Sequence, residues 1–129
     1  MGRRTYDVVA GFDSWGYGDI PVLVPTHRPL EPLRRSVRAV NGPIAELIDE
    51  ALTVADGKDV YVDGGGLVQQ ALAADRLDEL ILTVVPIVLG DGVRLFGPLA
   101  KPRNFNFAPP TSYGSMIQLR ATRAATPPG

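Results

Sequence analysis

Asp59-Val60-Tyr61-Val62-Asp63-Gly64-Gly65-Gly66-Leu67-Val68-Gln69-Gln70-Ala71-Leu72 reads as a short apolar strand that breaks at three glycines and opens straight into an amphipathic helix. Residues 60–63 form the predicted strand, and Leu67, Val68, Ala71 and Leu72 recur on one helical face. A junction of this kind gathers main-chain N–H groups and the positive end of a helix dipole where an anion, typically a cofactor phosphate, can rest. Gly64-Gly65-Gly66 matches neither the G-x-G-x-x-G fingerprint nor a Walker loop, so a plain tight turn stands as the alternative.

Upstream lies a second helix with clear periodicity. Ile44, Leu47, Ile48, Ala51, Leu52 and Ala55 follow i, i+3, i+4 spacing, Asn41-Gly42-Pro43 supplies a start, and Gly57 stops the run. Pro21-Val22-Leu23-Val24-Pro25 is a compact apolar run bounded by prolines and reads as a strand, with Thr26-His27-Arg28-Pro29 as the loop at its C-terminal end. Residues 37–40 suit a further short strand, and a short helix starts near Thr5.

Downstream, residues 79–89 are rich in Leu, Ile and Val, the pattern of a strand buried on both faces. Gly90-Asp91-Gly92 ends it, and Leu95-Phe96 is expected to anchor in a core. Residues 104–107 and 115–122 are expected to close the domain as an antiparallel pair. Residues 124–129 form a Pro-rich tail that is expected to be disordered. Strands alternating with helices and ending in a hairpin describe a sheet with helices on its faces.

Composition narrows the function. The chain has 129 residues, enough for one domain with its own core, and a net charge of −1, too balanced for a general nucleic-acid binder. Charge is unevenly spread: residues 1–40 carry a net +2, 41–100 a net −7 and 101–129 a net +4. An anion at the glycine turn therefore needs cationic contacts from elsewhere, most readily from the N-terminal third. No apolar run is long enough to span a membrane, and Met1-Gly2-Arg3-Arg4-Thr5-Tyr6 has no apolar signal-peptide core. Cysteine is absent, compatible with a reducing cytoplasm, and His27 is the sole histidine, so a transition-metal site is not expected. Pairing of His27 with Ser14, Ser36, Ser112 or Ser115 lacks a nucleophile-elbow context.

Four stretches together resemble the dihydrofolate reductase-like superfamily. They are Met1-Gly2-Arg3-Arg4-Thr5-Tyr6, Val22-Leu23-Val24-Pro25-Thr26-His27-Arg28-Pro29, Val62-Asp63-Gly64-Gly65-Gly66-Leu67, and Leu77-Asp78-Glu79-Leu80 through Pro86-Ile87-Val88-Leu89-Gly90-Asp91-Gly92 to Leu95-Phe96. The branch most similar is the C-terminal reductase domain of the bifunctional riboflavin-biosynthesis enzyme and its free-standing relatives. The resemblance implies an α/β, three-layer fold over residues 1–123, with a mixed central sheet and helices on both faces. It also implies a cytoplasmic homodimer that reduces a small pteridine- or pyrimidine-like substrate with NADPH.

By the same resemblance, Gly2, Arg3, Arg4 and Thr5 form a turn into a helix that contacts cofactor phosphates. Thr26, His27 and Arg28 receive the adenosine 2′-phosphate, whose dianion suits a guanidinium beside hydroxyl and imidazole donors. Gly64, Gly65 and Gly66, with the Leu67 and Val68 amides, form the pyrophosphate turn, and the Gly64-Gly65 bond is expected to be cis. Asp63, at a strand's C-terminal end, is either a substrate hydrogen-bond acceptor or proton relay, or an exposed strand-end acid. Each of the other residues has a bland rival as well: surface arginines, a solvated histidine, a tight turn.

Family members usually carry several dozen residues before the Gly-Arg-Arg-Thr stretch, including the first strand and the loop over the nicotinamide. Without its middle strand a sheet leaves two rows of main-chain groups unpaired. The expectation for these 129 residues taken alone is a rearranged or partner-completed sheet with little or no reductase activity. A non-catalytic NADP-binding remnant and a partner-completed interaction module are the competing functions.

Overall fold

A computed structural model describes residues 1–125. The elements are α1 (Arg3–Val9), β1 (Val22–Pro25), β2 (Val37–Val40), α2 (Ile44–Ala55), α3 (Gly65–Ala73), β3 (Glu79–Val84), β4 (Phe105–Phe107), β5 (Thr111–Tyr113) and β6 (Met116–Arg123). The chain divides into two compact units, Met1–Ala74 and a second beginning at Asp75. The class is mixed α/β, as expected, with the strands in two separate ladders.

In the first unit β1 and β2 run parallel, with Val22 opposite Val37 and Pro25 opposite Val40. Val22 and Val24 are buried while Leu23 and Pro25 are half-buried, the two-residue alternation of a pleated strand. Met1, Tyr6, Val22, Val24 and Val37 form one apolar cluster, with Ala10, Trp15, Tyr17 and Leu30 packed against it. The Tyr6 hydroxyl donates to the Glu31 carbonyl at 3.1 Å and accepts from the Leu33 amide at 3.1 Å, which ties down the loop between the strands.

Helix α2 has the predicted limits. It ends because Asp56 turns left-handed (φ 50°) and Gly57 follows at φ 82°, conformations that stop an α-helix. Leu47 and Ile48 of its apolar stripe are buried, worth about 1.5–3 kcal/mol each relative to exposure.

Four sequence expectations fail. Residues 60–63 are not a strand: they have no ladder partner among the described residues, and a strand exists only by pairing. The Gly64-Gly65 bond is trans, as is every peptide bond among the described residues; the turn is made through glycine's positive φ, 105° at Gly64. The segment 79–89 is a strand only as far as Val84 and is not buried on both faces, since Ile81 and Val84 are each 51% exposed. Its apolar composition misled because β3 sits at an edge, bonded to β6 alone. Leu95 is likewise exposed rather than a core anchor, while Phe96 is half-buried.

The second unit is built on β6. It pairs antiparallel with β3 (Glu79 opposite Thr122), with β4 (Phe105 opposite Arg123) and with β5 (Tyr113 opposite Met116). The expected closing pair is present, and β5 adds a hairpin. Ala121 is buried, and Arg120 reaches Glu79 across the ladder at 2.8 Å, while Arg123 pairs with Asp75 and Asp78. No helix among the described residues is long and apolar enough to cross a membrane. Of the tail, Ala124 and Ala125 are irregular and residues 126–129 lie outside the described residues.

Candidate functional site

Parallel strands β1 and β2 deliver their C-terminal ends to one place, Thr26 after β1 and Asn41 after β2. Ligands of open α/β sheets collect at this end of the strands. A cavity of about 490 Å³ opens here, walled on one side by Thr26 and His27 and on another by Gly64, Gly65 and Gly66. Gly2, Arg3, Arg4 and Thr5 at the start of α1, together with Leu67, complete its overlap with the residues expected from sequence.

The glycine turn is shaped by close contact. A Cβ on Gly64 would lie 2.8 Å from the Thr5 Oγ1 and 3.3 Å from the Gly2 nitrogen, so only glycine lets the start of α1 approach the start of α3. A Cβ on Gly65 or Gly66 would meet nothing within 4 Å, so their main chain borders open space. As the first residues of α3, Gly65, Gly66 and Leu67 have N–H groups without intrahelical acceptors. The Val68 amide is different: it donates to the Gly64 carbonyl at 2.9 Å and is already used.

Arg3 holds the opposite wall. Its Nη1 donates to Thr26 Oγ1 at 3.2 Å, to the Arg28 carbonyl at 3.3 Å and to the Pro29 carbonyl at 3.0 Å. Its Nε donates to Asp7 Oδ1 at 2.8 Å. Arg3 thus braces the loop, and the exposed Arg4 and His27 are the cationic and imidazole groups left at the rim. Arg28 does not line the cavity; its Nη2 donates to Asp7 Oδ2 at 3.0 Å. The hydrogen bond from Arg3 above all, with the Arg28 charge and hydrogen bond behind it, holds the Asp7 carboxyl below the usual carboxylate range.

Asp63 also stands apart from this cavity. It borders a larger one, about 700 Å³, beneath β1 and α2. Its carboxylate accepts a hydrogen bond from the Tyr17 hydroxyl at 2.9 Å, and its carbonyl accepts from the Gly2 amide at 2.8 Å. Burial first, then that hydrogen bond, pushes the Tyr17 phenol up from its ordinary value. The two cavities share Leu67, Ile44, Leu47, Pro25 and Val40 along their walls.

Sequence reasoning missed Asp7, Tyr17, Asn41, Gly42 and Gln70. Asn41 and Gly42 were legible as the residues closing a parallel strand, although they read equally as a helix start. Gln70 lies one turn after Gly66 on α3 and so faces the same space. Asp7 and Tyr17 act through partners 21 and 46 residues away, and no local pattern carries that.

The pattern of the RibD C-terminal domain matches residues 26–119 of this chain. The protein YwjB of Bacillus subtilis (strain 168), itself uncharacterized, is 30% identical over 126 residues, covering 96% of this chain and 72% of its own length. The crystal structure of a Shewanella sp. PV-4 protein, provisionally assigned to riboflavin biosynthesis, superposes with a TM-score of 0.84 at 34% identity. That match covers 97% of this chain and 72% of the other. A pyrimidine reductase-like protein from Corynebacterium diphtheriae shares the fold at a TM-score of 0.58 and 21% identity, over 81% of this chain and 50% of its own.

Proposed function

The chain belongs to the RibD C-terminal domain family, and we propose that it serves as an NADPH-dependent reductase of a small pteridine- or pyrimidine-like heterocycle. One observation carries the cofactor reading. The Gly65, Gly66 and Leu67 amides at the head of α3 border the same cavity as Arg4, Thr26 and His27, at the C-terminal ends of two parallel strands. Amides at a helix N-terminus suit a pyrophosphate, and a hydroxyl, an imidazole and a guanidinium suit a phosphate monoester. Open space over Gly65 and Gly66 and the absence of side chains there fit a group that approaches the main chain closely.

When bound, NADPH supplies the hydride. The protein's part is to hold and orient. Arg3 fixes Thr26 and the Arg28 and Pro29 carbonyls, so the loop meets the ligand with little ordering left to do. Arg28 joins the 2′-phosphate by exchanging Asp7 for it, both being charge-assisted bonds. Asp63, held by Tyr17, offers a carboxylate to a ring N–H or amino group of the heterocycle. Asp63 is the residue we assign to substrate.

We further propose that the working protein is a cytoplasmic homodimer. Exposed apolar side chains after β3, with Val88 98% and Val93 100% exposed, support self-association. The function is tested by mixing the purified protein with NADPH and candidate pyrimidine or pteridine substrates and following loss of the reduced nicotinamide absorbance. Oxidation that needs both protein and substrate supports the reading. Tight NADPH binding with no oxidation by any substrate would instead mark the protein as a nucleotide-binding module.

A further inference from the structure

The two carboxylate oxygens of Asp7, on α1, serve different arginines. Oδ1 accepts from the Arg3 Nε at 2.8 Å, and Oδ2 accepts from the Arg28 Nη2 at 3.0 Å. Arg3 has other anchors, because its Nη1 donates to Thr26 Oγ1 and to the Arg28 and Pro29 carbonyls. The Arg28 main chain is fixed from two sides: its carbonyl takes Arg3, and its amide donates to Thr26 Oγ1 at 3.1 Å. What Asp7 adds to this loop is a hold on the Arg28 guanidinium, whose side chain is 63% exposed.

Bracing the loop and neutralising Arg28 are therefore separate bonds of one carboxylate. Water and salt screen an exposed pair such as Arg28 and Asp7, so it can be given up at small cost. A phosphate monoester is close to a dianion at neutral pH and offers three acceptor oxygens. It attracts a guanidinium more strongly than one carboxylate does at the same distance. The exchange favours the phosphate, but the surrendered pair subtracts from the gain. A coenzyme with a hydroxyl in that place leaves the pair intact and gives nothing up.

We infer that Asp7 sets how strongly this site prefers NADPH over NADH, as a counter-ion that the 2′-phosphate must displace from Arg28. The inference rests on the reading of Thr26, His27 and Arg28 as the 2′-phosphate loop and adds a built-in competitor on α1. Its consequence is opposite to that of a binding residue: taking the charge off Asp7 tightens NADPH. The Arg3 hydrogen bond, ahead of the contributions from Arg28, holds the Asp7 carboxyl below the usual carboxylate range, so the competitor stays charged at neutral pH.

Asp7→Asn is the discriminating variant. Its amide keeps an oxygen for the Arg3 Nε and puts a donor in place of the oxygen that faces Arg28. NADPH and NADH are titrated calorimetrically into the purified wild type, Asp7→Asn, Arg28→Ala and the double variant. Asp7→Asn is expected to bind NADPH about three- to fivefold more tightly, with NADH changed by less than about twofold. In the Arg28→Ala background the same substitution should move NADPH by less than about twofold, because the effect passes through Arg28. Unchanged or weaker NADPH binding by Asp7→Asn overturns the inference, and so does an equal gain in the Arg28→Ala background. If Arg28→Ala weakens NADPH alone while Asp7→Asn gains nothing, the 2′-phosphate loop stands and only the role of Asp7 falls. Equal losses of NADPH and NADH in Arg28→Ala would overturn both.

Discussion

The Arg28 guanidinium donates to the Asp7 carboxylate at 3.0 Å, across 21 residues of sequence. The same carboxylate takes the Arg3 Nε on its other oxygen at 2.8 Å. Asp7 thus occupies the charge of Arg28, the arginine that we propose for the 2′-phosphate. Arg28→Ala is expected to weaken NADPH by roughly tenfold, the worth of one charge-assisted bond at an exposed site. NADH, which has no such phosphate, should change less than about twofold. Equal losses for the two coenzymes, measured by calorimetry, would remove Arg28 from the site.

The Asp7 pair also sets a pH dependence. Its carboxyl is held below the unfolded value of 3.8, so its contribution to stability is fully present above that value. It is lost as pH falls through the lower folded value, when the carboxylate takes a proton. Urea unfolding of wild type and Asp7→Asn should therefore differ at pH 6 and converge in strong acid. Curves that differ equally at both extremes would show that Asp7 acts by packing instead.

Gly64 combines φ 105° with a position where a Cβ would lie 2.8 Å from Thr5 Oγ1. Gly64→Ala is expected to cost about 1–3 kcal/mol of stability from the backbone conformation alone. Adding Thr5→Ala should relieve the contact but not the φ penalty, so the double variant recovers only part of the loss. Full recovery in chemical denaturation would place the whole effect on the side-chain contact.

Asp63 is tested apart from the cofactor. Asp63→Asn should lower kcat/KM for the heterocycle by about 10- to 100-fold, the loss of a hydrogen bond to a charged acceptor. NADPH affinity should stay within about twofold, because Asp63 borders the other cavity. Tyr17→Phe removes the hydroxyl that donates to Asp63 at 2.9 Å and should shift the pH profile of kcat/KM while leaving coenzyme binding alone. An unchanged profile in Tyr17→Phe would confine that tyrosine to packing.

Much of this was legible because it is local. The spacing from Ile44 to Ala55 gave α2 its limits, and prolines around Val22 bounded β1. The glycine turn and the loop after β1 were each legible locally and were joined into one site only by the resemblance; Thr26, His27, Gly64, Gly65 and Gly66 do line one cavity. What failed depends on partners. Residues 60–63 have strand composition but no neighbouring ladder, and residues 85–89 have core composition but stand exposed. The Gly64 turn uses positive φ in place of the expected cis bond, a choice that the string Gly64-Gly65-Gly66 does not encode. Arg3 and Asp7 form a legible i,i+4 pair, but the second charge on Asp7, from Arg28, exists only once the fold brings the two together.

Self-association has its own check. The exposed Val88 and Val93 should become buried in a homodimer, and Val88→Asp with Val93→Asp should shift the protein to a monomer in light scattering without lowering its Tm. A wild-type monomer at all concentrations would refute the dimer.

NADPH is proposed to lie on the amides at the head of α3, with its 2′-phosphate at the loop after β1. Backbone NMR of the labelled protein during an NADPH titration tests it most directly. The account predicts saturable shifts concentrated at Gly65, Gly66 and Leu67 and at Thr26, His27 and Arg28, with the latter group weaker for NADH. Shifts confined to other residues, or no saturable change at millimolar NADPH, would contradict it.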